Sequence, residues 1–196
     1  MARSLLDTVD VRRVRQVAET VGDDVPGAAA LACLVVGGAL QHDPDDPAWV
    51  DRDRLVVGGG GLDAVAAAVF EAAGMPAEEA APRWVDGGAR ALALAFGLAV
   101  GSALDAGVWR AFAVLDAGAC ATGVVWEAAC AAAGSRVPLT ALVTAADRDA
   151  ADRAAGLFAA AGWPVARPAP TDVAAVLGDL DRALASAQPT VIVERP

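Results

Sequence analysis

Over residues 4–21, apolar side chains recur every three or four positions among Arg12, Arg13, Arg15 and Glu19, which is the period of an amphipathic helix. Asp24-Val25-Pro26 stops that helix and begins another, since proline suits a first helical turn. Residues 27–40 are apolar on every side, which predicts a helix enclosed all round. A polar loop over 42–54 carries Pro44 and Pro47. A short strand over 55–57 then runs into Gly58-Gly59-Gly60-Gly61 and a helix over 62–73.

The second half alternates more regularly. Gly87-Gly88 opens a long apolar helix reaching 106, and 109–115 reads as a buried strand. Helices over 123–133, 149–161 and 172–185 then alternate with strands over 139–144, 165–167 and 190–193. Strands separated by helices of this length need crossover connections. The expected fold is therefore α/β, a mainly parallel central sheet with helices on both faces. No repeat or linker interrupts the pattern, so one domain over residues 1–196 is expected.

Composition narrows the chemistry. Apolar residues make up 56% and charged ones 20%, which excludes a disordered chain. Aromatics are 5% with no tyrosine, so the core must be built mainly of Ala, Val and Leu. A net charge of -10 speaks against nucleic acid or an anionic membrane surface as partner. The chain has no lysine, no asparagine and one histidine, His42, which excludes Schiff-base chemistry, a P-loop lysine and a multi-histidine metal site. Cys33, Cys120 and Cys130 are far apart in apolar stretches without zinc-site spacing, as expected of free thiols in a reducing compartment. The N-terminus lacks the apolar core of a signal peptide. The longest apolar stretches, 26–40 and 91–104, fall short of the roughly 20 residues of a membrane span. A cytoplasmic protein without a membrane partner is the expectation.

Two segments are placed where parallel sheets bind ligands. The strand–glycine–helix unit at Gly58 to Gly61 presents backbone N–H groups as a phosphate cradle would, or is simply a turn that lets elements pack closely. Asp116-Ala117-Gly118 sets a carboxylate at the C-terminal end of a buried strand, as a ligand or as a turn residue. Candidate binding residues are thus Gly60, Gly61, Asp116 and Gly118. Glu127 reads as a helix-surface or interface residue, His42 as part of an acidic loop, and Trp163 as packing at the sheet edge.

The order of several motifs resembles the transketolase family, in particular its N-terminal, diphosphate-binding module. Asp43-Pro44-Asp45-Asp46-Pro47-Ala48-Trp49 leading into Asp51-Arg52-Asp53-Arg54-Leu55-Val56-Val57 resembles that family's DP-x-x-P-x-W loop and D-R-D-R strand. Val125-Trp126-Glu127-Ala128-Ala129 resembles its V-W-E-A-A helix, Gly162-Trp163-Pro164-Val165 its G-W-x-V, and Pro189-Thr190-Val191-Ile192-Val193 its P-T-V-I-I strand. Arg12-Arg13-Val14-Arg15 through Pro26-Gly27 resembles the opening helix and the H-P-G-G turn. The resemblance is colinear along nearly the whole chain.

The resemblance implies a thiamine diphosphate and Mg²⁺ site, and the matching positions lack its chemistry. The family's metal-binding aspartate falls on Ala117 and its glutamate on Ala119, while the second metal ligand, an asparagine, falls near Ala146. Family histidines fall on Val25, Gly61 and within Ala169-Pro170-Thr171-Asp172, and a lysine falls on Gly59. The family's glycine-rich G-S-L-G-Q-G turn has become Asp86-Gly87-Gly88-Ala89-Arg90-Ala91. The resemblance therefore implies a subunit with a degenerate cofactor site. It would be the structural or regulatory partner of a separate C-terminal, pyrimidine-module transketolase subunit in a two-carbon (ketol or acyl) transferring complex. No residue of this chain is expected to be catalytic and none to bind metal, and the chain alone is not expected to be active. Two alternatives stand beside it: an active subunit with a modified thiamine diphosphate site built on Asp116, and a non-catalytic module using the glycine turn for another anion. The apolar stretches 27–40 and 88–104 point to a hetero-oligomer or a homodimer, since a chain of this size is not expected to cover both.

Overall fold

The computed structural model describes residues 4–22, 24–43, 45–46, 48–59, 61–75 and 84–196. Its strands are β1 (Arg54–Gly58), β2 (Trp84–Asp86), β3 (Ala111–Asp116), β4 (Leu139–Thr144), β5 (Val165–Ala166) and β6 (Thr190–Val193). They form one sheet in the order β2-β1-β3-β4-β6-β5, and every neighbouring pair is parallel. The expected α/β architecture is the one observed. The helices are α1 (Leu5–Thr8), α2 (Val11–Val21), α3 (Ala28–Val35), α4 (Leu62–Ala72), α5 (Ala91–Leu104), α6 (Gly123–Ala132), α7 (Arg148–Ala160) and α8 (Val173–Ala185).

Successive strand residues point to opposite faces, and each face has its own helical layer. Leu55, Val57, Phe112, Val114, Leu142 and Ile192 pack with α2, α3, α4 and α8. Val56, Ala113, Leu115, Ala141, Val143 and Val193 pack with α5, α6 and α7 on the other side. Both faces are covered, so the strands read as continuous apolar runs rather than alternating ones. No helix among the described residues is long and apolar enough to cross a membrane.

Several local departures have clear causes. The expected helix over 4–21 is two helices, because the Asp10 side chain accepts hydrogen bonds from the N–H groups of Arg12 and Arg13 and starts a new one. The helix expected over 27–40 ends at Val35. A side chain at Gly37 would put its Cβ 2.2 Å from the Cys33 carbonyl oxygen, and Gly38 turns away with φ +73°. Seven of the eight residues of α3 are buried within this chain. Its face therefore needs no partner, because α2, α4 and α8 enclose it, and of the two apolar stretches only that of α5 is left partly uncovered. Trp163 lies inside rather than at the sheet edge: its Nε1–H donates to the Ala129 carbonyl at 2.9 Å and its ring meets Phe158 edge-on. It ties α7 to α6.

β2 was not foreseen. It is three residues long, pairs only with β1 and carries the polar Asp86, so no apolar run announces it. At the other border β5 has two residues and follows Pro164.

Gly58 closes β1 where the 87–91 turn crosses it. A Cβ there would lie 2.2 Å from the Gly88 carbonyl oxygen and 2.5 Å from the Ala91 Cβ. The first glycine of the run thus serves close packing. Gly58→Ala should cost about 1–3 kcal/mol, the usual range for overpacking. Urea unfolding should show a lower midpoint at an unchanged slope. An unaltered midpoint would mean that this crossing yields freely.

Candidate functional site

In open parallel sheets the ligand crevice lies at the carboxyl ends of the strands, where the strand order reverses. Here that point falls between β1, whose next strand lies outward, and β3, from which the chain proceeds the other way. The turns leaving β1 and β3 meet there. Gly59 has φ +83°, and a Cβ on it would lie 3.3 Å from the Asp116 Cβ and 3.2 Å from that of Ala119. Gly61, with φ +74°, precedes the first residue of α4 and is exposed. Gly60 lies outside the described residues.

Asp116 is the last residue of β3 and is half-buried. Its Oδ1 accepts from the Gly118 N–H at 2.8 Å, which closes the turn into the helical segment 119–121. A Cβ on Gly118 would lie 2.7 Å from that oxygen, so glycine leaves room for the bond. Of the sequence candidates, Asp116 and Gly118 share one turn, the neighbouring Gly59 rather than Gly61 is the glycine that approaches Asp116, and the carboxylate is engaged in its own turn. Across the same edge, the Thr144 hydroxyl donates to the Leu115 carbonyl at 3.4 Å and the Ala117 N–H to the Thr144 carbonyl at 2.9 Å. The side chains at 117 and 146 are methyl groups. Among the described residues no group of three or more His, Cys, Asp or Glu is placed to share a metal ion.

Beside these turns, over the ends of β4 and β6, lies a cavity of about 400 Å³. Arg15, Glu19, Asp24, Gly27, Ala146 and Glu194 are among the residues that line it. Gly27 makes the junction possible. With φ +90° it starts α3, and a Cβ there would lie 2.8 Å from the Leu62 side chain and 3.1 Å from that of Thr144.

Glu194 went unnoticed in the sequence. It follows the last residue of β6, is only 2% exposed, and its Oε1 has no hydrogen-bond partner. Burial pushes its carboxyl up to about 7, against the opposing pull of the Ala30 and Gly27 backbone N–H groups that face it. The one signal for it was a charged residue directly behind the apolar run Val191-Ile192-Val193 at the ligand-binding edge.

The remaining candidates are structural. His42 lies beside the other end of the sheet, where its Nε2 is 3.2 Å from the Val35 carbonyl oxygen and its ring meets Phe70 edge-on. Nearby, the buried Asp53 accepts from the N–H groups of Gln41 at 2.8 Å and Arg110 at 2.6 Å, joining the entries of β1 and β3. Burial raises the Cys120 thiol to about 12 and holds Cys33 well above the usual thiol range, so neither is a ready nucleophile. Glu127 is exposed on α6 beside Trp126, which is 42% exposed.

The geometry is that of a parallel α/β domain whose strand order reverses between β1 and β3. Among solved structures this fold is that of transketolases. The chain superposes on transketolase from Campylobacter jejuni subsp. jejuni with a TM-score of 0.68 at 17% identity, over 100% of this chain and 38% of that one. For transketolase from Leishmania mexicana the values are 0.65, 20%, 100% and 37%. For Pichia stipitis transketolase in complex with sedoheptulose 7-phosphate they are 0.62, 17%, 94% and 35%. At these identities the likeness is one of fold, and the chain spans a little over a third of those chains. No protein-family model and no curated protein matches the sequence.

Proposed function

We infer that this chain is the diphosphate-module counterpart in a two-piece, transketolase-like assembly, with a structural or regulatory rather than catalytic role. Its partner would be a separate pyrimidine-module subunit of a cytoplasmic two-carbon (ketol or acyl) transferring complex. The observation that carries the reading is a helix face that this chain leaves uncovered, on a fold that matches little more than a third of the transketolases it superposes on. That face belongs to α5, where Ala93, Leu94, Gly97, Leu98 and Gly101 line a shallow groove together with Arg90 and Asp105. Leu94 is 42% exposed.

The donor set supports the non-catalytic half of the reading. A diphosphate held through Mg²⁺ needs several oxygen ligands in near-octahedral arrangement. At the crevice the chain offers methyl groups at Ala117 and Ala146, Asp116 already holds the Gly118 N–H, and Glu194 in the adjoining cavity is a single buried carboxylate. The residues present do not fit the cofactor.

Calorimetry and thermal melts with thiamine diphosphate and Mg²⁺, run with and without a co-expressed pyrimidine-module subunit, test this directly. The chain alone should show no metal-dependent rise in melting temperature. Binding at a hundredfold excess over Kd would add about 2.7 kcal/mol, or roughly 5–10 °C for a chain of this size. A rise of that order would sink the non-catalytic reading and favour an active subunit with a modified site. Ala117→Asp combined with Ala146→Asn should introduce Mg²⁺ dependence. If the pair changes nothing, the correspondence of these positions to the family's metal ligands is lost.

A further inference from the structure

We propose that the cavity above the start of α3 binds a small organic cation with N–H donors, an ammonium or amidinium head, and that Glu194 is its acceptor. The first support is the unsatisfied oxygen. Oε1 of Glu194 is buried without a partner in a side chain that is 2% exposed and lines the cavity. A buried acceptor left bare is costly, and more so when charged, so such a group calls for an explanation. A ligand that donates to it supplies one.

The sign of the ligand follows from its surroundings. The start of a helix ordinarily welcomes an anion. Here the Gly27 and Ala30 N–H groups of α3 already face the Glu194 carboxylate, so the protein's own anion holds that position. Glu19 and Asp24 at the rim add two further carboxylates against one guanidinium, Arg15. A phosphate would meet this field as a like charge, whereas a cation completes it. A divalent metal is a poorer fit, since it needs six or more oxygen ligands and the site offers one buried carboxylate. The remaining walls include Ala28, Ala145 and Val173, which suit a short hydrocarbon body behind the charged head. About 400 Å³ is the volume of a small-ligand pocket.

The inference is independent of the partner role, and its test uses the full chain alone. Benzamidine is the probe, benzamide its uncharged counterpart, and inorganic phosphate and thiamine diphosphate with Mg²⁺ are the competing ligands. By calorimetry at pH 8, benzamidine should bind saturably and benzamide at least tenfold more weakly. In two-dimensional NMR the shifts should centre on the amides of Gly27 and Ala30. Glu194→Gln should abolish the binding. Ala146→Phe, which narrows the cavity and leaves the carboxylate in place, should weaken it at least tenfold, so the test survives if the first variant folds poorly. Equal binding of benzamide and benzamidine, binding that persists in both variants, no benzamidine binding at all, or saturation by phosphate or thiamine diphosphate instead would each overturn the proposal.

Discussion

Leu94→Asp should leave the isolated chain folded and remove the assembly proposed above. In the single chain this side chain is 42% exposed on the outer face of α5, so an aspartate there reaches water. Exposed substitutions of this kind usually stay within about 0.5 kcal/mol, plus a similar helix-propensity difference. In a complex that seats a partner on the groove lined by Leu94 and Leu98, the same carboxylate would be buried against an apolar partner, with the exposed Arg90 one turn away as the nearest cation of that groove. That burial costs on the order of 4 kcal/mol, or roughly a thousandfold in Kd. Light scattering at micromolar concentration, with the pyrimidine-module subunit present and absent, gives the readout, with circular-dichroism melts as the folding control. An unchanged complex in the variant would place the contact elsewhere. If the unmodified protein stays monomeric in every mixture, the partner role itself fails.

The stability of the protein should fall as pH rises from about 5 to about 8, with Glu194 as the chief cause. Its carboxyl has an ordinary value of 4.5, raised by burial to about 7 in the folded chain. Between those values the folded state holds a proton that the unfolded state has released. Stability therefore declines with pH across this window and levels off above it. The displacement corresponds to about 3 kcal/mol at most. Asp53, raised by burial from 3.8, acts in the same direction starting at lower pH, and the raised thiols act only above pH 9. Asp152 is held low by its hydrogen bond from Arg167, but it is fully exposed and solvent screens it. Glu194→Gln should flatten the slope of unfolding free energy from pH 5 to 8 and raise the melting temperature at pH 8 by several degrees. A variant with the original slope would clear Glu194 of responsibility.

What could be read from residue order depended on how local its cause was. The strands at 139–144 and 190–193 were legible to the residue, because runs of buried β-branched and aliphatic side chains are bounded by Pro138 and Pro189. Their alternation with helices was enough for a parallel sheet covered on both faces. The break between α1 and α2 needed Asp10 to be recognised as a cap inside an otherwise continuous helical pattern. The end of α3 was marked by Gly37-Gly38, which the surrounding apolar run concealed. Asp116 and Gly118 were found because strand ends are informative, but a turn and a ligand site look alike until the Oδ1 to N–H bond is seen. Trp163 and Glu194 owe their roles to groups far away in the chain, the Ala129 carbonyl and the Gly27 and Ala30 amides. No local pattern carries that information.

The shortness of the outer strands bears on how this protein behaves before any partner arrives. A long bare border invites strand addition from another molecule and, repeated, growth into cross-β fibrils. β2 offers three residues and β5 only two, behind a proline that has no N–H to give. Templated polymerisation has almost nothing to grow from at either side. Association of surplus chain through exposed apolar side chains such as Leu94 on α5 or Trp126 on α6 has no hydrogen-bonded register to propagate, so it should be amorphous rather than fibrillar.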